Sequence, residues 1–180
     1  MNTIQPMELC GTCAVVCEPA VRQKYERITH LLIQKGLFIT TMESCTSGQI
    51  ASLITDTEGA SAIMKGAFIT YSNEAKIMLG VPEAVIRECG VYSADTALCM
   101  ADVCRKAYAA DIGIGVTGSF GNVDPNNKDS VPGEVFFAIS SKKHNSAFHC
   151  SVPPQSSRLA YKLYMADIIA DQLLSSTLAG

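Results

Sequence analysis

No apolar run in this 180-residue chain approaches the roughly 20 residues needed to cross a bilayer, so a membrane span is not expected. A basic excess is missing too. Fourteen Lys and Arg stand against 17 Asp and Glu, a formal net charge of −3, which argues against a protein that works on nucleic acid. The short basic spot Lys142-Lys143 reads as solvated loop. The N-terminus "MNTIQPMELCGTCAVVCEPA" lacks the basic start and continuous apolar core of a secretory signal, and a cytoplasmic location is expected. Histidine is scarce: His30, His144 and His149 fall in a helix, a loop and a strand, and spacing ties none of them to a nucleophile. Cys10, Cys13 and Cys17 form a C-x2-C-x3-C cluster, but no second CxxC or HxxxH pair follows. No metal is therefore expected, and residues 1–19 read as a poorly ordered tail. The eight cysteines do not imply disulfides in a chain this long and rich in core residues. Cys99 and Cys104 lie in a helical pattern as small core residues. No internal repeat or linker appears, so residues 20–180 read as one domain.

What is present is core material. Apolar residues make up 48% of the chain and charged residues 17%, the composition of a folded domain. Val21, Tyr25, Ile28, Leu31 and Leu32 share one face of a helix that stops at Gly36. A strand is predicted over 37–42, a helix from about Thr46 to Ile54, and strand character over 65–72. Short helices follow in "NEAKIML" and "PEAVIREC", the second opening on Pro82, and Ser93 is placed as the N-cap of a longer helix. "DIGIGVTG" (111–118) reads as a buried strand, "EVFFAISS" and "SAFHCSV" as a hairpin, and a closing helix carries Leu159, Leu163, Ala166, Ile169 and Leu173. Helices alternate with strands and a hairpin follows. The expected fold class is α/β, a three-layer α/β/α sandwich with a mixed, mostly parallel sheet.

The chemistry gathers in the turn Glu43-Ser44-Cys45-Thr46-Ser47-Gly48. A residue between a strand and the following helix is presented at the carboxyl edge of the sheet, where open α/β sheets bind ligands. The helix start also offers unsatisfied N–H groups to a phosphate or an oxyanion. Ser44 is thus a candidate nucleophile, with the N–H groups of Cys45, Thr46 or Ser47 as an oxyanion hole, each donor contributing about 3 kcal/mol in enzymes of this kind. The same serine or Thr46 serves equally as a plain helix cap. The turn does not match G-x-S-x-G. A serine needs a base, and "TYSNEAK" supplies Tyr71 at the end of a strand and Lys76 in the next helix. A lysine acts as a base only when burial or a nearby positive charge lowers its pKa. A surface lysine and a strand-end tyrosine would explain the same residues. Glu43 is assigned a supporting role, and the glycines of "VTGSFG" fit either a close approach to a ligand or a tight turn.

"ESCTSGQIASLITDTEGASAIMKGAFITYSNEAKIMLGVP" and "GVYSADTALCMADVCRKAYAADIGIGVTG" closely resemble the CinA C-terminal-domain family, the nicotinamide-mononucleotide deamidases. The likeness runs from about residue 20 to the closing helix. It implies an α/β/α fold and hydrolysis of the carboxamide of nicotinamide mononucleotide to nicotinate mononucleotide and ammonia, without metal or redox cofactor. The family's nucleophile falls on Ser44, its tyrosine on Tyr71 and its lysine on Lys76, and the resemblance implies that Lys76 and Tyr71 take the serine proton and later give it to ammonia. Substrate contacts are expected from Cys45, Thr46, Ser47, Gly48, Thr117, Gly118 and Arg158. The chain departs from the family where T-G-G becomes Thr46-Ser47-Gly48. It departs again in the loop Gly118-Ser119-Phe120-Gly121-Asn122, at Val131-Pro132-Gly133-Glu134, and where G-D-R becomes Val152-Pro153-Pro154. The fused N-terminal domain of longer CinA proteins has no counterpart here, and a stand-alone form is expected. So is a homo-oligomer, on general grounds for small α/β enzymes. The alternatives are an amidase for a related substrate and a non-catalytic nucleotide-binding domain of the same fold.

Overall fold

The structure is a computed structural model that describes residues 5–9, 16–128 and 130–178. Its strands are β1 (Met7–Leu9), β2 (Ile39–Glu43), β3 (Phe68–Ile69), β4 (Ile112–Gly118), β5 (Glu134–Ser141) and β6 (Asn145–Ser151). Its helices are α1 (Glu18–Lys35), α2 (Gln49–Thr55), α3 (Asn73–Met78), α4 (Glu83–Cys89), α5 (Ala94–Ala107) and α6 (Arg158–Gln172), the last running into a π-helical turn at Leu173–Thr177. One six-stranded sheet takes the order β1-β6-β5-β4-β2-β3. Strand β2 is parallel to both β3 and β4, and β1 is parallel to β6; the β4–β5 and β5–β6 pairings are antiparallel. The sheet is therefore mixed and mostly parallel, as the alternation of patterns predicted.

The period-2 alternation of the strands sorts side chains to the two faces. Ile112, Ile114 and Val116 of β4, Val135, Phe137 and Ile139 of β5, and Phe148 and Cys150 of β6 pack with α1, α2 and α6. On the opposite face Ala138 and Ala147 meet Ala94, Ala97 and Ala101 of α5, and Met42 meets Met100 and Cys104. Gly113 and Gly115 of β4 alternate with the isoleucines. A Cβ on Gly115 would stand 2.1 Å from the Ala97 carbonyl oxygen, and one on Gly113 would stand 2.2 Å from that of Ala101. The strand thus lets α5 settle directly on its backbone. Gly115→Ala is expected to force α5 outward and lower the unfolding free energy by about 3 kcal/mol, at the upper end of overpacking effects, as urea denaturation would measure.

Some expectations shift in detail. Met7–Leu9, inside the stretch read as a tail, forms an edge strand on β6, where His149 stands 2.6 Å from the Glu8 carboxylate and also contacts Glu134. Cys10 and Cys13 lie outside the described residues, and Cys17 is exposed. The strand expected over 65–72 contracts to Phe68–Ile69, because this edge segment has a partner on one side only and Ser72 already caps α3 by accepting from the Ala75 N–H. Leu159, part of the apolar pattern of the closing helix, is 50% exposed in the first turn of α6. Among the described residues, no helix is long and apolar enough to cross a membrane.

Candidate active site

Strands β2 and β4 end side by side, with Glu43 opposite Val116, and β3 flanks β2 with Ile69 opposite Glu43. Three parallel strand ends thus meet at one edge of the sheet. Ser44 is the first residue beyond β2, pinned by its N–H donating to the Val116 carbonyl at 3.0 Å. From β3 the chain turns through Thr70 and Tyr71 into α3, and this return carries Lys76 beneath the same edge. Lys76 is 2% exposed; its Nζ donates to the Thr70 carbonyl at 2.9 Å and lies 3.2 Å from Ser44 Oγ. Burial pulls the lysine pKa down to about 8, with Cys45, Asp124 and Glu74 opposing the shift. Near neutrality, part of the population holds an unprotonated amine against the serine hydroxyl.

Glu43 explains how the turn is built. Its side chain is fully buried and accepts four hydrogen bonds: from Thr41 Oγ1 at 2.9 Å, the Gly48 N–H at 2.9 Å, the Ile50 N–H at 3.2 Å and the Ala51 N–H at 2.9 Å. The last two N–H groups belong to the first turn of α2, so the carboxylate caps the helix that follows its own strand. Ser47 and Gly48 take positive φ, 53° and 87°, to bring these donors round, and α2 therefore begins at Gln49 rather than near Thr46. Ser47 N–H donates to the Ser44 carbonyl at 3.0 Å and Gln49 N–H to that of Thr46 at 3.1 Å. The N–H groups of Cys45 and Thr46 take no part in these bonds. Glu43→Gln would turn an amide N–H₂ towards backbone donors. It is expected to reduce the unfolding free energy by about 3 kcal/mol in a urea titration, the penalty for buried donors left unpaired.

A cleft of about 230 Å³ opens over Ser44. Ser44, Cys45, Tyr71, Gly118, Phe120 and Arg158 line it, and Tyr92 with Asp124 and its loop neighbours completes the wall. Tyr71 is 63% exposed, and its hydroxyl accepts from Arg158 at 3.0 Å rather than meeting Ser44 or Lys76. The Arg158 guanidinium sits 5.1 Å above the Phe120 ring, which stacks on Tyr161. The structure thus unites Ser44 with Lys76 and places Tyr71 with Arg158 at the rim. Thr117 turns away: its hydroxyl is buried on the Val91 carbonyl at 2.9 Å. Thr46, Ser47 and Gly48 form the turn behind Ser44 rather than the lining. Cys45 is buried beside the nucleophile, and desolvation pushes its thiol up to about 12, which leaves it protonated and inert. A broader depression of about 820 Å³ along α1 has no Ser, Thr or Cys in its lining.

Two wall residues escaped the sequence reading. The Asp124 carboxylate accepts from Tyr92 Oη at 2.6 Å, the Asn126 N–H at 2.9 Å and Asn127 Nδ2 at 2.6 Å, while its own N–H donates to Ser130 Oγ at 2.8 Å. The Tyr92 bond leads the contributions that hold the Asp124 pKa below the usual carboxylate range. Their only signal was an Asn- and Asp-rich loop and a tyrosine in "GVYSADT".

Comparison with known proteins bears on the family and the fold. The family model of the CinA C-terminal domain matches residues 21–167. A nicotinamide-nucleotide amidohydrolase, PncC, of Escherichia coli K12 is 37% identical over 122 residues, 67% of this chain and 73% of that protein. A putative competence-damage inducible protein of Caldicellulosiruptor saccharolyticus is 39% identical over 124 residues, 68% of this chain and 30% of that longer protein, so the match spans under a third of it. The crystal structure of the competence/damage inducible protein CihA from Agrobacterium tumefaciens superposes with a TM-score of 0.78 at 27% identity, covering 89% of this chain and 96% of that one. This chain belongs to the CinA C-terminal domain family.

Proposed function

We propose that this protein is a serine amidohydrolase that converts nicotinamide mononucleotide to nicotinate mononucleotide and ammonia. The observation that carries the reading is the buried Lys76 amine, 3.2 Å from Ser44 Oγ, with its pKa lowered to about 8. The name of the Escherichia coli relative, nicotinamide-nucleotide amidohydrolase, supports the substrate.

Neutral Lys76 takes the proton as Ser44 Oγ bonds to the carboxamide carbon. The oxyanion is held by the N–H of Cys45, a residue of the cleft lining that stands outside the Glu43 network. Lys76 then passes its proton to the amide nitrogen, the C–N bond breaks and ammonia departs. Water attacks the acyl-enzyme with the same amine as base, and Lys76 returns that proton to Ser44 Oγ as the ester C–O bond breaks and the carboxylate leaves. Tyr71 acts at the rim, where it orients Arg158 towards the phosphate, a planar donor set that suits that group.

The test is release of ammonia and nicotinate mononucleotide by the purified protein from the mononucleotide, measured beside a panel of other carboxamides and a Ser44→Ala control. Preferred turnover of the mononucleotide supports the assignment. A different carboxamide clearly preferred would make this an amidase of another substrate. Tight binding with no turnover of any amide would leave a nucleotide-binding domain.

A further inference from the structure

Asp124 and Tyr92 carry out no step of the chemistry just described, though Asp124 acts on the Lys76 pKa through space, and they form a wall of its cleft. Tyr92 comes from the segment before α5 and Asp124 from the loop between β4 and β5, a stretch of chain that also departs from the family pattern. The loop is held in shape. Ser130 Oγ donates to Ser119 Oγ at 3.0 Å, Ser119 Oγ to the Asn122 carbonyl at 2.6 Å, and Asn73 Nδ2 to Asn127 Oδ1 at 2.7 Å. The carboxylate is consequently fixed in place, with its charge kept. Two tyrosines, Tyr71 and Tyr92, line the same space. A fixed carboxylate beside an aromatic ring is the combination that recognises an organic cation. Arg158, bonded to the Tyr71 hydroxyl at 3.0 Å, supplies the opposite charge on the Tyr71 side of the lining.

We infer that Asp124, positioned by Tyr92, is a specificity determinant that selects a positively charged ring on the substrate. This rests on the deamidase reading and deepens it, because the pyridine ring of the mononucleotide is cationic whereas its 1,4-dihydro form has the same carboxamide and phosphate on a neutral ring. The carboxylate stabilises the cation in the bound state and gives the neutral ring nothing comparable.

The experiment is calorimetric titration of Ser44→Ala protein, which holds the ligand without turning it over, with nicotinamide mononucleotide and with its reduced form. The cationic form is expected to bind about fivefold to tenfold more tightly. Adding Asp124→Asn, which keeps the shape and an acceptor for Tyr92, is expected to bring the two affinities within twofold. Adding Tyr92→Phe instead, which keeps the ring and removes the hydroxyl that holds the carboxylate, should narrow the preference without abolishing it. Equal binding of the two forms by the Asp124-intact protein, or a preference that survives Asp124→Asn, overturns the inference, as does failure to bind either. A cationic preference lost with Asp124, in a protein whose wild type releases no ammonia, would sink the deamidase reading and leave this one standing.

Discussion

Ser44→Ala is expected to lower kcat for carboxamide hydrolysis by a factor of about 10⁴ while the affinity for the mononucleotide changes by no more than a few-fold. The asymmetry follows from what the hydroxyl does. It forms the bond to carbon, whereas in the ground state it only touches Lys76. Its backbone is held independently by the Val116 carbonyl, so truncation leaves the turn in place. Single-turnover assays with ammonia detection, paired with calorimetric binding, separate the two quantities. Turnover within tenfold of wild type would mean that Lys76 activates water directly and that no acyl-enzyme forms.

Lys76→Met should lower kcat/KM by about 10³ or more and, unusually for a buried substitution, stabilise the fold near neutrality. In the wild type kcat/KM should rise with pH through an apparent pKa near 8, the value that burial imposes on the amine. The residual rate of the variant should lack that limb. The stability effect has the opposite origin to that of most core ion pairs. The folded-state pKa lies below the ordinary lysine value of 10.5, so below about 8 the native state carries a buried charge that the unfolded chain hydrates freely. Between about 8 and 10.5 the unfolded chain binds the proton and the native one does not, and wild-type stability climbs with pH. Methionine removes that penalty but leaves the Thr70 carbonyl without its donor. A net gain of about 1–2 kcal/mol at pH 7 is expected, shrinking at pH 9.5, as urea titrations at the two pH values would measure.

The sequence pattern reached far because each layer has its own period. The isoleucines of β4 alternate with glycines, and the same alternation that marks a buried strand sends Ile112, Ile114 and Val116 to one face and Gly113 and Gly115 to the other. What the pattern could not convey is the close approach those glycines permit, since only the placement of Ala97 and Ala101 makes them necessary. Ser44 and Lys76 were nominated from their places beside strand ends, and their meeting needed the β2–β3 pairing, a contact between segments that no periodicity encodes. The Tyr71–Arg158 bond joins residues 87 positions apart and was out of reach for the same reason. Glu43 was visible only as an acid in the right turn. Its three backbone donors depend on the left-handed conformations of Ser47 and Gly48, which displace the helix start by about three residues from the pattern's estimate.

That buried glutamate has a consequence for what happens after the reaction. Before hydrolysis the group facing Ser44 is a neutral amide; afterwards it is an anion, and it is born one residue from a carboxylate already enclosed in the protein. The helix end that would otherwise receive a new negative charge is occupied from within by Glu43. Under the proposed reaction, substrate and product therefore experience the same pocket differently: the amide needs no counter-charge, whereas the acid relies on Lys76, with no helix end to share its charge. Retention of the product thus depends on the charge of the lysine, and inhibition by nicotinate mononucleotide is expected to weaken as pH rises through about 8.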